Sequence, residues 1–274
     1  MRVMKRYTFA GELVLDGALH IGSGGGGTLA NADAPTDATI VRDGSGRAYI
    51  PGSSFRGVLR GAIGEYAPRL SMGEIRDDSQ IEASVKRALQ ISAQGNPGSL
   101  KEADIQKKLN QTSVLEPAER LFGTVFWASP LIIPDLYLKS NPGGEGEVRH
   151  GIAIDKDTGA TLDSAKFDYE VMPRDAIFEF RARLDVSDVS SSQENEWLDL
   201  LALGLRLFEL GEIRLGGRLA RGIGQVHLQS LSVSLLDTSD KGKLLRFLKS
   251  NRAALYSGDV VATNWTTTRL AGVA

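Results

Sequence analysis

The chain contains no cysteine, which excludes disulfide bridges and thiolate metal sites at the outset. It also lacks an excess of charge of one sign. Its 32 lysines and arginines face 34 aspartates and glutamates, a formal net charge of −2, so no global basic field announces a polyanionic partner. No apolar run approaches the ~18 residues of a membrane span. The N-terminal Met1-Arg-Val-Met-Lys-Arg-Tyr7 passes into an alternating strand pattern without the apolar stretch of a signal peptide. A soluble cytoplasmic protein with no membrane partner is the expectation. Histidine is scarce: His20, His150 and His227 lie far apart, and no spacing among them resembles a zinc site. His227 falls within a strand pattern and reads as structural. Neither a Gly-x-Ser-x-Gly nucleophile elbow nor a Gly-x-x-x-x-Gly-Lys-[Ser/Thr] phosphate loop occurs.

What the chain does have is glycine, concentrated where arginine is also concentrated. In Leu215-Gly-Gly-Arg-Leu-Ala-Arg-Gly-Ile-Gly-Gln-Val226, the glycines Gly216, Gly217, Gly222 and Gly224 surround Arg218 and Arg221. Glycine lets the backbone take unusual dihedrals and approach a ligand closely, and the guanidinium fork suits phosphate. A dinucleotide fingerprint runs strand, glycines, helix, whereas here an apolar helical run comes first. The segment therefore reads as a cradle for a phosphodiester chain, with a plain long turn as the alternative. Local charge agrees: Arg206, Arg214, Arg218 and Arg221 stand against Glu209 and Glu212, and Arg42, Arg47, Arg56, Arg60 and Arg69 against Asp43 and Glu65.

Along the chain, Tyr7 to Leu15 alternates as a strand does, and Gly22-Ser-Gly-Gly-Gly-Gly27 ends its continuation. A short strand is predicted over Thr39 to Arg42 and a helix over Phe55 to Tyr66, with Ser53 or Ser54 as its N-cap. Residues of about 67–122 are polar and helix-prone and read as a mostly helical insertion. Leu131 to Leu138 reads as a strand disturbed by Pro134, followed by a long loop from Asn141 through Lys166. Strands over Phe167 to Val171 and Ala176 to Val186, a buried helix over Trp197 to Leu210, a strand over Gln225 to Leu235 and a surface helix over Lys241 to Leu255 complete the pattern. Stripped of insertions the order is βαββαβ, the α+β, ferredoxin-like split βαβ that also frames RRM domains.

Two further segments bear on binding. The Ile50-Pro-Gly-Ser-Ser-Phe-Arg-Gly-Val-Leu-Arg60 run would offer free N–H groups at a helix start, near Ser53, Ser54, Arg56 and Arg60; an ordinary capped helix is the alternative. Gly22 opens the N-terminal glycine run, and His20 flanks it, placed to touch RNA, to transfer a proton or simply to pack.

Together, Gly17-Ala-Leu-His-Ile-Gly22, Tyr49-Ile-Pro-Gly-Ser-Ser-Phe-Arg-Gly-Val-Leu-Arg60 and Leu215–Val226 resemble the hallmark segments of the RAMP superfamily. The likeness is closest to the repeated backbone subunit of type III CRISPR effector complexes. Arg120-Leu-Phe-Gly123, Arg149-His-Gly-Ile-Ala-Ile-Asp155 and Phe167-Asp-Tyr-Glu170 support it, and the matches run in order from about Thr8 to Leu235. The resemblance implies a single RAMP domain over 1–274 with an RRM-like core and a thumb-like loop at about 140–166. It implies CRISPR RNA, target single-stranded RNA, copies of the same chain and other type III subunits as partners. RNA contacts would come from His20, Gly22, Ser53, Ser54, Arg56, Arg60, Gly216, Gly217, Arg218, Arg221 and Gly222. It implies further that the subunit is an endoribonuclease cutting the guide-paired target at an aspartate between the N-terminal glycines and Ile50-Pro-Gly-Ser-Ser54. Asp37 is the better match and Asp33 the runner-up. The 2′-hydroxyl attacks its own phosphate, and Asp37 would aid proton transfer or share a divalent cation such as Mg2+ with RNA and water. A non-catalytic RNA-binding subunit, or a CRISPR RNA-processing endonuclease with His20 as general base, are the alternatives.

Overall fold

Phe9, Leu13 and Leu15 are buried along β1 (Lys5–Leu15), while the intervening Ala10, Glu12 and Val14 are half-covered, the period-two signature of a strand with one face on a core. In this computed structural model, which describes residues 4–22, 38–89, 105, 108–109, 113–144, 146–187, 189–249, 259–262 and 264–273, β1 pairs antiparallel with β7 (Ile177–Val186) on one side and β8 (Val226–Asp237) on the other. Beyond β7 lies β4 (Leu136–Ser140), then the short β2 (Tyr49–Ile50); beyond β8 lies β9 (Asp259–Ala262). The two-residue β3 (Leu131–Ile132) also pairs with β7.

The core face of this sheet is covered by α1 (Gly52–Tyr66) and α4 (Ser191–Glu209). Phe55, Leu59 and Ile63 recur at i, i+4 spacing on α1 and all are buried. On α4, Trp197 through Phe208 is buried nearly all round. The Phe55 ring stacks on Phe208 at 4.5 Å and meets Phe180 of β7 at 5.0 Å, joining both helices to the sheet. Each such fully buried phenylalanine is worth about 1.5–3 kcal/mol of hydrophobic transfer. With the minor strands set aside, the elements run β1, α1, β4, β7, α4, β8 and the sheet order is β4-β7-β1-β8. The fold is α+β and ferredoxin-like.

Between α1 and β3 the chain forms a 3-10 turn (Ala67–Leu70), α2 (Asp78–Ala88) and α3 (Pro117–Phe122). This stretch carries its own core of Ile81, Val85, Leu89, Ile105, Leu109, Leu115 and Trp127. A reciprocal capping box, Asp77 with Gln80, starts α2.

Several expectations are corrected. The stretch read as a loop from Asn141 to Lys166 contains β5 (Glu147–Ile154) and most of β6 (Thr161–Val171), paired as a two-stranded hairpin in which His150 faces Asp168 and Arg149 faces Tyr169. The strand over Leu131 to Leu138 is two strands, split where Pro134 removes a ladder donor. Instead of a strand over Thr39 to Arg42 there are isolated bridges at Ala38, Ile40 and Arg42. The first helix starts at Gly52, with Pro51 as N-cap and no side-chain cap, so neither Ser53 nor Ser54 has that role. The second helix starts at Ser191, six residues before Trp197, because Ser190 and Gln193 form a capping box there. The late helix, α5 (Lys241–Lys249), is followed by β9 and α6 (Trp265–Leu270), neither of which the sequence pattern announces.

Candidate nucleic-acid interface

The glycine loop is pinned at its neck. Leu215 N–H donates to the Gly224 carbonyl at 2.8 Å, and Gly224 N–H donates to the Ala18 carbonyl at 2.7 Å. At the tip, Gly217 N–H donates to the His20 carbonyl at 2.9 Å. Gly216 and Gly224 have φ of +84° and +88°, and a Cβ at either would collide with a backbone oxygen, of His20 and of Leu215 respectively. These glycines answer a real steric demand: only a residue without Cβ lets the loop lie this close to Ala18–His20. Arg218, itself left-handed at φ +60°, opens a 3-10 turn over Leu219–Arg221 that Gly222 closes.

That turn sets both arginines over the aromatic residues of β6. The Arg218 guanidinium lies 4.3 Å from the Tyr169 ring centre and 5.1 Å from Phe167; that of Arg221 lies 4.9 Å from Phe167 and 5.9 Å from Tyr169. The two rings stack at 6.2 Å, and His20 meets Tyr169 edge-on at 5.9 Å. Cation–π contact orients a guanidinium without neutralising it, at about 0.5–1 kcal/mol for an exposed pair. Among the described residues no carboxylate pairs with either arginine, so two oriented cations stay available beside glycine N–H groups, and Arg221 is exposed. His20 is 7% exposed, and its Nδ1 lies 2.7 Å from the Glu170 carbonyl oxygen. A carbonyl only accepts, so Nδ1–H donates, and the ring fastens the loop to the hairpin.

The structure thus brings His20, Gly216, Gly217, Arg218, Arg221 and Gly222 together. Gly22 follows as a bridge partner of Ile40. Ser53, Ser54, Arg56 and Arg60 are not joined to this cluster by any hydrogen bond or ring contact among the described residues. Arg56 donates to the Phe122 carbonyl and is half-buried, which together with Arg60 lowers its pKa. At the start of α1, the Gly52 N–H already donates to the Asp135 carboxylate at 2.9 Å, so a protein carboxylate holds a donor that a phosphate would need. Phe167 and Tyr169 are missing from the candidate contacts drawn from arginine and glycine; their two-residue spacing on one strand face, within the Phe167–Glu170 segment of the family resemblance, is the sequence signal for them.

The sheet face away from the helices, the base-stacking face of an RRM, is differently built. Glu12 of β1 accepts from Lys139 at 2.5 Å and from Gln229 at 3.0 Å, Asp185 takes Arg6 at 2.8 Å and Arg183 at 3.2 Å, and Arg181 pairs with Glu179. Each of these carboxylates is engaged by a neighbouring cation, and the outward positions of β1 and β7 carry no aromatic ring.

Asp33 and Asp37 lie outside the described residues. Ala38, directly after Asp37 in sequence, bridges Tyr169 in parallel, and its carbonyl accepts from Glu170 N–H at 2.9 Å. Among the described residues no group of three or more His, Asp or Glu side chains could hold a metal ion. The Glu170 carboxylate is taken by Arg42 at 2.5 Å and by Ile40 N–H at 3.0 Å. The described donors therefore do not build a site for a divalent cation.

The chain matches the RAMP superfamily over residues 12–227, most of its length, and it belongs to that family. No curated protein matches it. Membership implies an RNA-binding function associated with CRISPR systems. Among the described residues no helix is long and apolar enough to cross a membrane.

Proposed function

We propose that this chain is a CRISPR RNA-binding backbone subunit of a type III effector complex and that it also cleaves the guide-paired target RNA. The observation that carries the reading is the arginine–aromatic cluster: Arg218 and Arg221 on Phe167 and Tyr169, with the glycine loop fastened to Ala18–His20. Three segments far apart in sequence meet there and place beside close-lying backbone two cations that no carboxylate neutralises among the described residues. Such a surface suits a phosphodiester backbone whose neighbouring bases or sugars lie against rings. The remaining partners are target RNA, further copies of the chain and sister subunits.

Asp37 is the residue assigned to cutting. The 2′-hydroxyl of the splayed nucleotide attacks the adjacent phosphorus, the bond to the 5′-oxygen breaks, that oxygen takes a proton from solvent, and a cyclic phosphate and a 5′-hydroxyl result. Asp37 takes the 2′ proton. The experiment is to purify the assembled complex with its RNA and to supply a labelled target, with and without Mg2+. Short RNAs of CRISPR-repeat origin should co-purify, and an Asp37→Ala complex should hold guide and target but leave the target intact. Undiminished cutting by that variant removes Asp37 from the chemistry.

A further inference from the structure

Among the described strands of the main sheet, only β2 and β4 turn a phenol or phenyl ring to the face away from the helices. They pair antiparallel at the sheet edge, with Tyr49 opposite Tyr137 and Ile50 opposite Leu136. Ile50 and Leu136 are buried on the core side, so strand alternation turns both tyrosines outward. Their ring centres lie 5.7 Å apart at 36°, and the Arg47 guanidinium stands 4.2 Å over the Tyr137 ring. Both tyrosines are half-covered, and Arg47 is exposed. Among the described residues no hydrogen bond engages either phenol hydroxyl, and Arg47 forms no ion pair.

An arginine on a tyrosine is by itself common, recurring about once per 70–80 residues in proteins. The support beneath this one sets it apart. Asp43 Oδ1 accepts from Ser45 Oγ at 2.6 Å, Ser45 N–H at 2.9 Å and Arg47 N–H at 3.0 Å, and Asp43 N–H donates to the Arg47 carbonyl at 3.0 Å. That carboxylate closes the turn; it feels Arg47 through space without pairing with it. Arg42 bridges Ala48 across the same turn, donates to the Gly46 carbonyl at 3.1 Å and pairs with Glu170, the residue after Tyr169. The Ala48 carbonyl accepts from Leu138 N–H at 3.2 Å. The ribbon carrying Arg47 and Tyr49 is thus fastened to β4 and to the strand that bears the arginine–aromatic cluster. Groups held in place before a ligand arrives lose little freedom on binding it.

We propose that Arg47, Tyr49 and Tyr137 form a second subsite for single-stranded RNA, on which one unpaired base stacks while Arg47 meets the adjoining phosphate. Bases stack on guanidinium planes as well as on rings, and the cation beside the rings complements the charge that accompanies every base. Two rings and one cation fall far short of the ~800 Å² that each partner buries in a stable protein interface. They match one nucleotide. The inference rests on the RNA-binding function of the family and is independent of cleavage.

The test uses the full-length chain and fluorescent CRISPR-repeat RNA, presented as a single strand and as a duplex with its complement. Tyr137→Leu keeps apolar cover but removes the ring; it should weaken single-strand binding at least ~5-fold and leave the salt slope unchanged. Arg47→Ala should also weaken binding, and should flatten the slope by about 0.7. Tyr137→Phe, which keeps the ring, should bind as wild type does and so separates lost stacking from lost folding. On the duplex, whose base faces are already stacked, Tyr137→Leu should match wild type. Undiminished single-strand binding by Tyr137→Leu, an equal loss on the duplex, or a slope that Arg47→Ala does not flatten overturns the subsite and leaves the glycine-loop reading standing. Sister subunits lost from a Tyr137→Leu complex while RNA affinity holds would make the edge a protein contact and overturn it too. A wild-type chain that binds neither form of the RNA sinks the parent reading instead.

Discussion

A methyl group at Gly216 would collide with the His20 carbonyl oxygen, and the backbone there is left-handed at φ +84°; Gly222 is also left-handed, at φ +78°, but has open space where a Cβ would sit. The two positions separate conformational strain from steric collision. Gly222→Ala should cost roughly 1–2 kcal/mol of left-handed strain. Gly216→Ala adds displacement of the loop from Ala18–His20 and should cost about 2–4 kcal/mol. Urea midpoints should fall in the order wild type, Gly222→Ala, Gly216→Ala; equal midpoints would mean the loop is not pinned as described. A second single-residue effect depends on pH. The Tyr7 hydroxyl donates to Glu194 at 2.6 Å, and burial, then Glu194, raises the phenol pKa above its usual value. Both folded and unfolded states are neutral at this group below the unfolded pKa of about 10. Above it the unfolded chain ionises first, so stability drains away as pH rises. Tyr7→Phe should therefore lose about 1 kcal/mol at neutral pH, and its deficit against wild type should narrow as the solution becomes strongly alkaline. A deficit independent of pH would contradict the raised pKa.

Among the elements, the insertion after α1 hangs on one carboxylate. Glu119, fully buried on α3, accepts from Arg76 Nη2 at 2.6 Å, Arg76 Nε at 2.8 Å and Glu116 N–H at 2.9 Å, while Arg76 also donates to the Val114 carbonyl at 2.7 Å. Removing one member of such a pair leaves the other stranded, at about 3–5 kcal/mol. Glu119→Ala should accelerate amide exchange through α2 and the Ile81–Trp127 core while β1 and β7 stay protected; uniform acceleration would show that this core and the sheet unfold together. What is legible in the sequence follows the same physics of burial. On α1, β1 and α4 the apolar residues recur at the element's own period because each buries one face or more, so their type reads correctly. The β5–β6 hairpin leaves Val148, Ile152 and Ile154 exposed, and only the Phe167–Val171 end, where Tyr169 and Val171 are buried, has the alternation that a sequence displays. At the site, Gly216, Arg218 and Arg221 are legible because local backbone demand and charge are local properties. Their partners Phe167 and Tyr169 come from a distant strand, and contact between a guanidinium and a ring leaves no spacing to find. The start of the first helix is illegible for a different reason: the Gly52 donor faces Asp135, which only folding brings there.

For the molecule as a whole, a net charge of −2 and an RNA partner are reconciled by where the charges lie. On the uncovered sheet face Arg6, Lys139 and Arg183 are engaged by carboxylates, whereas Arg218 and Arg221 at the glycine loop pair with no carboxylate among the described residues. Affinity for a nucleic-acid backbone follows the cations that displace counterions, about 0.7 per contact on a single strand in the slope of log affinity against log salt. Net charge is a poor guide when the contacts are this local. The two surfaces therefore make opposite commitments. Arg218→Ala with Arg221→Ala should weaken binding of single-stranded CRISPR-repeat RNA by roughly 10- to 100-fold and flatten the salt slope by about 1.4. Arg181→Ala with Arg183→Ala removes the same formal charge from the sheet, yet should leave both quantities unchanged, because those arginines are already spent on Glu179 and Asp185. Titrations of fluorescent RNA at several salt concentrations measure both variants. Equal losses from the two pairs would place the RNA across the sheet, as in an RRM, and remove the glycine loop from its role in binding.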